Sequence, residues 1–267
     1  MPGNALHIVK IGGNVIDDPS ALKRFLHHFA HISGPKILVH GGGKIATSMG
    51  DRMGVASEYI DGRRITGDDT IDLVTMVYGG LVNKKIVAML QSMQCDAIGL
   101  TGADANVLAA AKRPIREGID YGWVGDIDSS NLSDEKWKLF LNAGLIPVVA
   151  PLTHDKMGHL LNTNADTIAA TLAVLLANFF DVQLIYCFEK EGIYADISDE
   201  ATLMKEITPD DFTQLKREGK LFAGILPKIE NAFYAAAHGV GAVVIGHADK
   251  LPRIISGESG TKILTTT

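Results

Sequence analysis

Apolar residues in this chain fall into short, nearly unbroken runs that end in glycine, and these runs alternate with stretches of helical spacing. The first is LHIVKIGGN, residues 6–14, apolar on both strand faces as a buried parallel strand must be, with paired glycines at its carboxyl end. Asp18-Pro19 followed by Leu22, Phe25, Leu26, Phe29 and Ala30 supplies an N-cap, a first-turn proline and one apolar helix face. KILV after Pro35 repeats the strand and enters His40-Gly41-Gly42-Gly43, with a helix expected from near Lys44. Further strands are expected at 97–100, 146–150, 183–187, 242–245 and 261–264. Helices are expected at 134–143, from Thr163 or Asn164 onward, at 208–218 and after Pro227. This alternation predicts an α/β fold, a three-layer αβα sandwich around a central, mostly parallel open sheet.

Four segments break the rhythm. YIDGRRIT, 59–66, has β-branched residues around Asp61-Gly62 and reads as a hairpin or extended loop. Residues 68–94 read as a long helix or a pair broken near Gly79-Gly80, long enough to serve as a dimerisation element. Residues 101–106 form a small-residue loop of the kind that lines a pocket, and 107–127 an antiparallel excursion centred on Gly122-Trp123-Val124-Gly125.

Against this pattern a few polar residues stand out. Lys10 lies inside an apolar strand, either facing a ligand at its end or snorkelling to water from an edge. The glycine turns at Gly12-Gly13 and Gly41 to Gly43 offer unpaired N–H groups and a helix dipole, which suit phosphate or carboxylate. Neither is a Walker loop, since Leu38 stands where a glycine is required and Ile45 where a Ser or Thr is, and no G-x-G-x-x-G occurs. His40, closing a buried strand, reads as a hydrogen-bonded structural residue. Arg63 and Arg64 are solvated loop residues or a carboxylate clamp. Asp166 in a first helical turn stabilises the helix by ~0.3 to 1 kcal/mol with no further role needed, whereas Lys228 in a first turn is unfavourable by a similar amount unless an anion sits there.

The chain has 267 residues, 46% hydrophobic, enough for a large core arranged as one α/β unit or two lobes. A net charge of -6, with the basic pairs 63–64, 84–85 and 112–113 scattered as ordinary surface, argues against nucleic acid as a partner. Cys95 and Cys187 are too few for a disulfide framework and lack metal-ligand spacing, so no metal site is expected and a reducing, cytoplasmic location is. The amino terminus lacks a signal-peptide pattern, and the longest apolar helix expected, 168–180, is too short to span a membrane.

Five motifs in order, K-x-G-G at Lys10 to Gly13, H-G-G-G at His40 to Gly43, G-R-R-I-T at Gly62 to Thr66, N-x-N-A-D at Asn162 to Asp166 and L-P-K-I-E-N-A at Leu226 to Ala232, resemble the amino acid kinase family. The resemblance covers nearly the whole chain, and order and spacing are most similar to the branch acting on N-acetyl-L-glutamate. It implies transfer of the γ-phosphoryl group of ATP, with Mg2+, to the side-chain carboxylate of that substrate for arginine biosynthesis. Lys10 and Lys228 would stabilise the transferring group and Asp166 would position them. Gly12, Gly13, Gly42 and Gly43 would donate N–H groups to phosphate oxygens, with Gly42 and Gly43 also at the acyl substrate. Arg64 and Asn162 would bind its α-carboxylate. Residues 1–178 would form an acyl-substrate and dimerisation lobe and 179–267 a nucleotide lobe.

The chain departs from the family pattern at Cys187-Phe188-Glu189, where a Ser or Thr followed by Asp is usual, and at Arg63, usually apolar; the 101–106 loop also lacks a larger residue. A bulkier or more acidic acyl group, such as N-succinyl, is therefore expected to be accepted. Relatives inhibited by arginine resemble hexamers joined by an added amino-terminal helix. With its first strand at Leu6, this chain is expected to be a homodimer that arginine does not inhibit. A sibling kinase acting on carbamate or an aminoadipate derivative, and a catalytically silent sensor, are the competing readings.

Overall fold

The computed structural model describes residues 5–60, 62–128, 132–221 and 225–265. Asp61, assigned above to a hairpin turn, and the four residues preceding Ala5 lie outside them.

Eight strands form the main sheet: β1 (Ala5–Ile11), β2 (Lys36–His40), β3 (Ala97–Leu100), β4 (Ile146–Val149), β5 (Asp181–Phe188), β6 (Glu206–Ile207), β7 (Ala242–His247) and β8 (Thr261–Ile263). Their spatial order is β6-β8-β7-β5-β1-β2-β4-β3, and every neighbouring pair is parallel except β7 with β8. The αβα sandwich expected from the sequence is therefore present, with β1 at its centre. The short strand β6, two residues long, is the sheet element the hydrophobic pattern did not disclose.

Helices α1 (Gly13–Asp17), α2 (Pro19–Ala30), α3 (Gly43–Met53), α4 (Asp68–Gln91), α5 (Glu135–Asn142), α6 (Ala165–Leu176), α7 (Pro209–Arg217), α8 (Leu226–Ala237) and α9 (Leu251–Ile255) cover the two faces. The pleat of β1 divides its side chains between two cores. Leu6 and Ile8 join the layer under α6 and α8, while Val9 and Ile11 join the layer under α2 and α4. Lys10 takes the same face as Leu6 and Ile8, which aims it at α6. The strands of residues 1–178 and of 179–267 form the two halves of the sheet, and they meet where β1 pairs with β5 from Ala5↔Asp181 to Ile11↔Cys187.

Local chemistry sets the helix ends. Asp18 accepts from Ser20 N and Ala21 N at the start of α2, and Thr208 with Asp211 closes a capping box on α7. Asn164 rather than Thr163 caps α6, accepting from Asp166 N at 2.8 Å.

The glycines at 79 and 80 do not break α4. Thr75–Val82 widens into a π-helical turn and the helix continues. Tyr78 of this turn packs on Gly42, so the widening is coupled to the second glycine turn. At 24 residues, α4 and not the 168–180 segment is the long apolar helix among the described residues. It meets the length and composition of a membrane span, with 44% of its most apolar stretch buried in the fold.

Candidate active site

The carboxyl ends of β1 and β2 place the two glycine turns side by side. Gly41 N donates to Ile11 O at 3.2 Å, Gly12 N donates to Cys187 O at 3.3 Å, and a Cβ on Gly41 would lie 4.0 Å from Gly13 N. A β-carbon on Gly43 would meet nothing within 4 Å, so open space lies in front of that turn. In an open parallel sheet such a position, at the carboxyl ends of central strands, is where ligands bind.

Asp166, in the first turn of α6, joins two lysines that the sequence keeps far apart. Lys10 Nζ lies 2.7 Å and Lys228 Nζ 2.9 Å from the same oxygen, Asp166 Oδ1. All three residues are buried, at 6%, 5% and 8% exposure for Lys10, Lys228 and Asp166. Burial alone would raise the pKa of Asp166, but the two ammonium groups outweigh it and hold the carboxyl well below the usual carboxylate range. Burial lowers Lys10 to about 8 against the pull of Asp166, with Lys228 adding like-charge repulsion. Two cations on one anion leave a net positive charge in a low-dielectric place, which a bound anion would relieve.

Tyr186 completes the cluster, although nothing in its strand marked it in advance. It pairs with Lys10 across β1 and β5, donates its hydroxyl to Asp166 O at 3.0 Å, and lies under Lys228 Nζ with 5.3 Å to the ring centroid. Burial, reinforced by Asp166, raises the Tyr186 pKa well above the ordinary phenol value, so it remains a donor. Cys187 is likewise inert, its thiol pushed up to about 12 by burial.

His40 is structural, as expected. Its Nδ1 hydrogen-bonds Gly41 O at 2.7 Å and its Nε2 the side-chain amide of Asn83 at 3.1 Å, while burial lowers it to about 4. Neutral at physiological pH, it accepts from Asn83 and donates to Gly41.

Beside the cluster opens a cleft of about 580 Å3, within the range of ordinary small-ligand sites. Gly42, Gly43, Arg64 and Asn162 line it together. Lys10, Asp166, Lys228, Gly12 and Gly13 are not among its lining residues; the chain neighbours Ala165, Thr167 and Pro227 are. Arg64 is 7% exposed, far from a solvated loop residue. Its guanidinium donates to Gly43 O at 3.0 Å, to Thr47 Oγ1 at 2.9 Å and to Ser57 Oγ, and stacks 4.8 Å from the Tyr59 centroid. Asn162 donates to Thr66 Oγ1 at 3.1 Å.

Two expectations are corrected here. Arg113, grouped above with ordinary surface, lines the cleft and grips Asp126 through Nη2 at 2.6 Å and Nε at 3.0 Å. The hairpin pairing Ala111–Lys112 with Gly125–Asp126 turns it inward, together with Arg116. The 101–106 loop does not line the cleft: Asp104 accepts from Thr101 N and Oγ1, closing the loop on itself. Among the described residues no group of His, Cys, Asp and Glu is arranged to hold a metal ion.

The amino acid kinase family pattern matches residues 5–247. The chain belongs to the amino acid kinase family. It is 49% identical over 261 residues to an acetylglutamate kinase of Cytophaga hutchinsonii, covering 97% of this chain and 98% of that one. It is 47% identical over 261 residues to an acetylglutamate kinase of Bacteroides thetaiotaomicron, at 97% and 98% coverage. Among solved structures, N-acetylglutamate synthase from Neisseria gonorrhoeae with coenzyme A and N-acetyl-glutamate superposes with a TM-score of 0.83 at 20% identity, a likeness of fold. That match covers 99% of this chain and 60% of the synthase. Membership of the family makes this chain a kinase, a phosphotransferase, and the amino acid kinase fold is the sheet described above.

Proposed function

We propose that this chain is an acetylglutamate kinase, moving the γ-phosphoryl group of ATP onto the side-chain carboxylate of N-acetyl-L-glutamate in arginine biosynthesis. The observation that carries the reading is the convergence of Lys10 and Lys228 on Asp166 Oδ1 next to an arginine-lined cleft. A carboxylate nucleophile is ionised at neutral pH, so the reaction needs positioning and charge neutralisation more than a base. Its oxygen forms the new bond to the γ-phosphorus while the bond to the β–γ bridging oxygen breaks, giving an acyl phosphate and ADP. Lys10 and Lys228 offset the charge gathered between donor and acceptor, and Asp166 keeps the two ammonium groups from repelling one another. The amides of Gly13, Gly42 and Gly43 bind phosphate oxygens, whereas the Gly12 amide, expected to join them, is taken by Cys187 O, and Arg64 with Asn162 binds the α-carboxylate. This cleft favours an amino-acid-like substrate over carbamate.

Mg2+, when bound, neutralises phosphate charge, and the lack of a carboxylate cluster among the described residues fits an ion carried on the nucleotide itself. Residues 179–267 supply the nucleotide half and 1–178 the acyl-substrate half. The protein acts in the cytoplasm as a homodimer joined through α4, whose Met76 and Leu81 are 52% and 49% exposed. An ADP-release assay with N-acetyl-L-glutamate tests the activity; no ADP release above background with any N-acyl amino acid rejects it. Light scattering tests the dimer.

A further inference from the structure

Two amides of the glycine turns are already taken, Gly12 N by Cys187 O at 3.3 Å and Gly41 N by Ile11 O at 3.2 Å. A phosphate lodged there is left with Gly13, Gly42 and Gly43. A cation beside the turns would make up for the lost donors, and Lys44 stands in that place. It follows Gly43 directly, in the first turn of α3, where a positive charge is unfavourable unless an anion lies nearby. Leu38 and Ile45 exclude a Walker loop, yet Gly43-Lys44 keeps the pair of that pattern that sets a lysine against phosphate.

The Lys44 side chain is 70% exposed, but its ammonium group is held. Nζ donates to Asn14 Oδ1 and lies 4.0 Å from Asp17 Oδ2. Asn14 follows Gly13, and Asp17 Oδ2 lies 3.6 Å from the position a β-carbon on Gly13 would take. The ammonium is therefore drawn from the second glycine turn across to the first. Its hydrogen bond goes to a neutral amide, and 4.0 Å is too long for one to Asp17, so no hydrogen-bonded carboxylate uses up its charge. Both Asp17 oxygens are buried without a hydrogen-bond partner, and they restrain Lys44 by charge alone. Helices α1 and α3 pack through Val15, Ile16 and Ala46 into the layer of Val9 and Ile11, on the face of β1 opposite to Lys10. Lys44 thus reaches the strand ends from the side that Lys10 and Lys228 leave uncovered.

Resting on the kinase reading, we propose that Lys44 is a further cation of the site, binding the terminal phosphate of the nucleotide across the two glycine turns, with Asn14 and Asp17 as its positioning residues. Lys44 forms no bond to phosphorus and moves no proton; it holds the group that Lys10 and Lys228 stabilise during transfer.

The test uses the full chain and calorimetric titration with Mg2+ and either ADP or the non-hydrolysable ATP analogue AMPPNP. In Lys44→Met the affinity for AMPPNP is expected to fall about tenfold or more, the scale of a charge-assisted hydrogen bond, while that for ADP stays within about threefold of the parent. Lys44→Arg is expected to keep most of the AMPPNP affinity, and both variants to melt with the parent and leave the KM for the acyl substrate unmoved. Unchanged AMPPNP affinity in Lys44→Met overturns the proposal, and with a lowered melting temperature reduces Lys44 to a clamp between α1 and α3. Equal losses for AMPPNP and ADP overturn the assignment to the terminal phosphate. Either result leaves the kinase reading standing, whereas a parent that binds neither nucleotide defeats that reading and the inference together.

Discussion

Lys10 and Lys228 donate to one and the same oxygen of Asp166, at 2.7 and 2.9 Å, although one belongs to the first strand of the sheet and the other to α8. The shared oxygen fixes the separation of the two ammonium groups without either needing a partner of its own. It also makes Asp166 the residue on which both halves of the molecule depend.

Replacing Asp166 by Asn keeps the shape and removes the charge, leaving two buried cations facing each other. Breaking a buried ion pair in this way costs about 3 to 5 kcal/mol. Thermal melting is expected to show a fall of several degrees, and single-turnover kinetics a loss of about a hundredfold or more. A variant that melts normally and turns over within threefold of the parent would refute the positioning role of Asp166.

Lys10 must be charged to stabilise the transferring group, and burial lowers its folded value from 10.5 to about 8. An alkaline limb near pH 8 is therefore expected in kcat/KM, which reports the free enzyme. Bound phosphate favours the ammonium form and should move the limb upward in kcat. In Lys10→Arg the limb should leave the accessible range even as the rate falls, because a guanidinium stays charged. Identical limbs in parent and variant would assign the titration to another group.

Stability should follow the same groups, rising with pH in two separate windows. The folded value of Asp166 is depressed, so its contribution is present above about 3.8 and is lost as pH falls through and below that value. For Lys10 the depressed folded value means the unfolded chain holds more protons between about 8 and 10.5, and this group alone makes stability rise with pH across that window. Denaturant melts at several pH values, compared between parent and Lys10→Met, measure the second effect; equal slopes in that window would deny it.

Arg64→Lys removes a planar, multiply bonded guanidinium from Gly43, Thr47 and Ser57. A loss of about 1.5 to 3 kcal/mol, ten- to hundredfold, is expected in kcat/KM for the acyl substrate, with the KM for ATP nearly unmoved. A larger change in the nucleotide KM than in the acyl-substrate KM would place Arg64 on the other side of the reaction.

The neighbouring glycines should respond differently to alanine. Gly42 has φ 148°, and a β-carbon there would lie 3.1 Å from the Tyr78 ring, so Gly42→Ala is expected to lower stability by about 1 to 3 kcal/mol. At Gly43 a β-carbon meets open space, so Gly43→Ala should melt normally while raising the KM of a ligand held against that turn. Equal stability losses at both sites would contradict this division.

Strand-by-strand alternation in the sequence was enough for the parallel sheet, because a buried strand needs apolar residues on both faces and declares its end with glycine. Lys10 and Lys228 were legible as anomalies, a charge among aliphatics and a cation at the wrong end of a helix dipole. That they meet was not legible without the family resemblance, since no local pattern encodes a contact between β1 and α8. Tyr186 and Arg113 were missed for a related reason. An aromatic in a strand and a basic pair in a loop are ordinary in sequence, and only cross-strand register and the inward turn of the 111–126 hairpin give them a role. The sequence left α4 open between one long helix and a pair broken near Gly79 and Gly80, because a π-helical turn has no simple residue signature.

The pairing of β1 with β5 runs for seven residues without a bulge, from Ala5↔Asp181 to Ile11↔Cys187. A slip of one position would turn Lys10 into the aliphatic layer beneath α2 and swing Ile11 to the face of Asp166. Such a molecule would be dead rather than slow, so specific activity in a purified sample counts correctly zippered chains and doubles as an assay of folding fidelity.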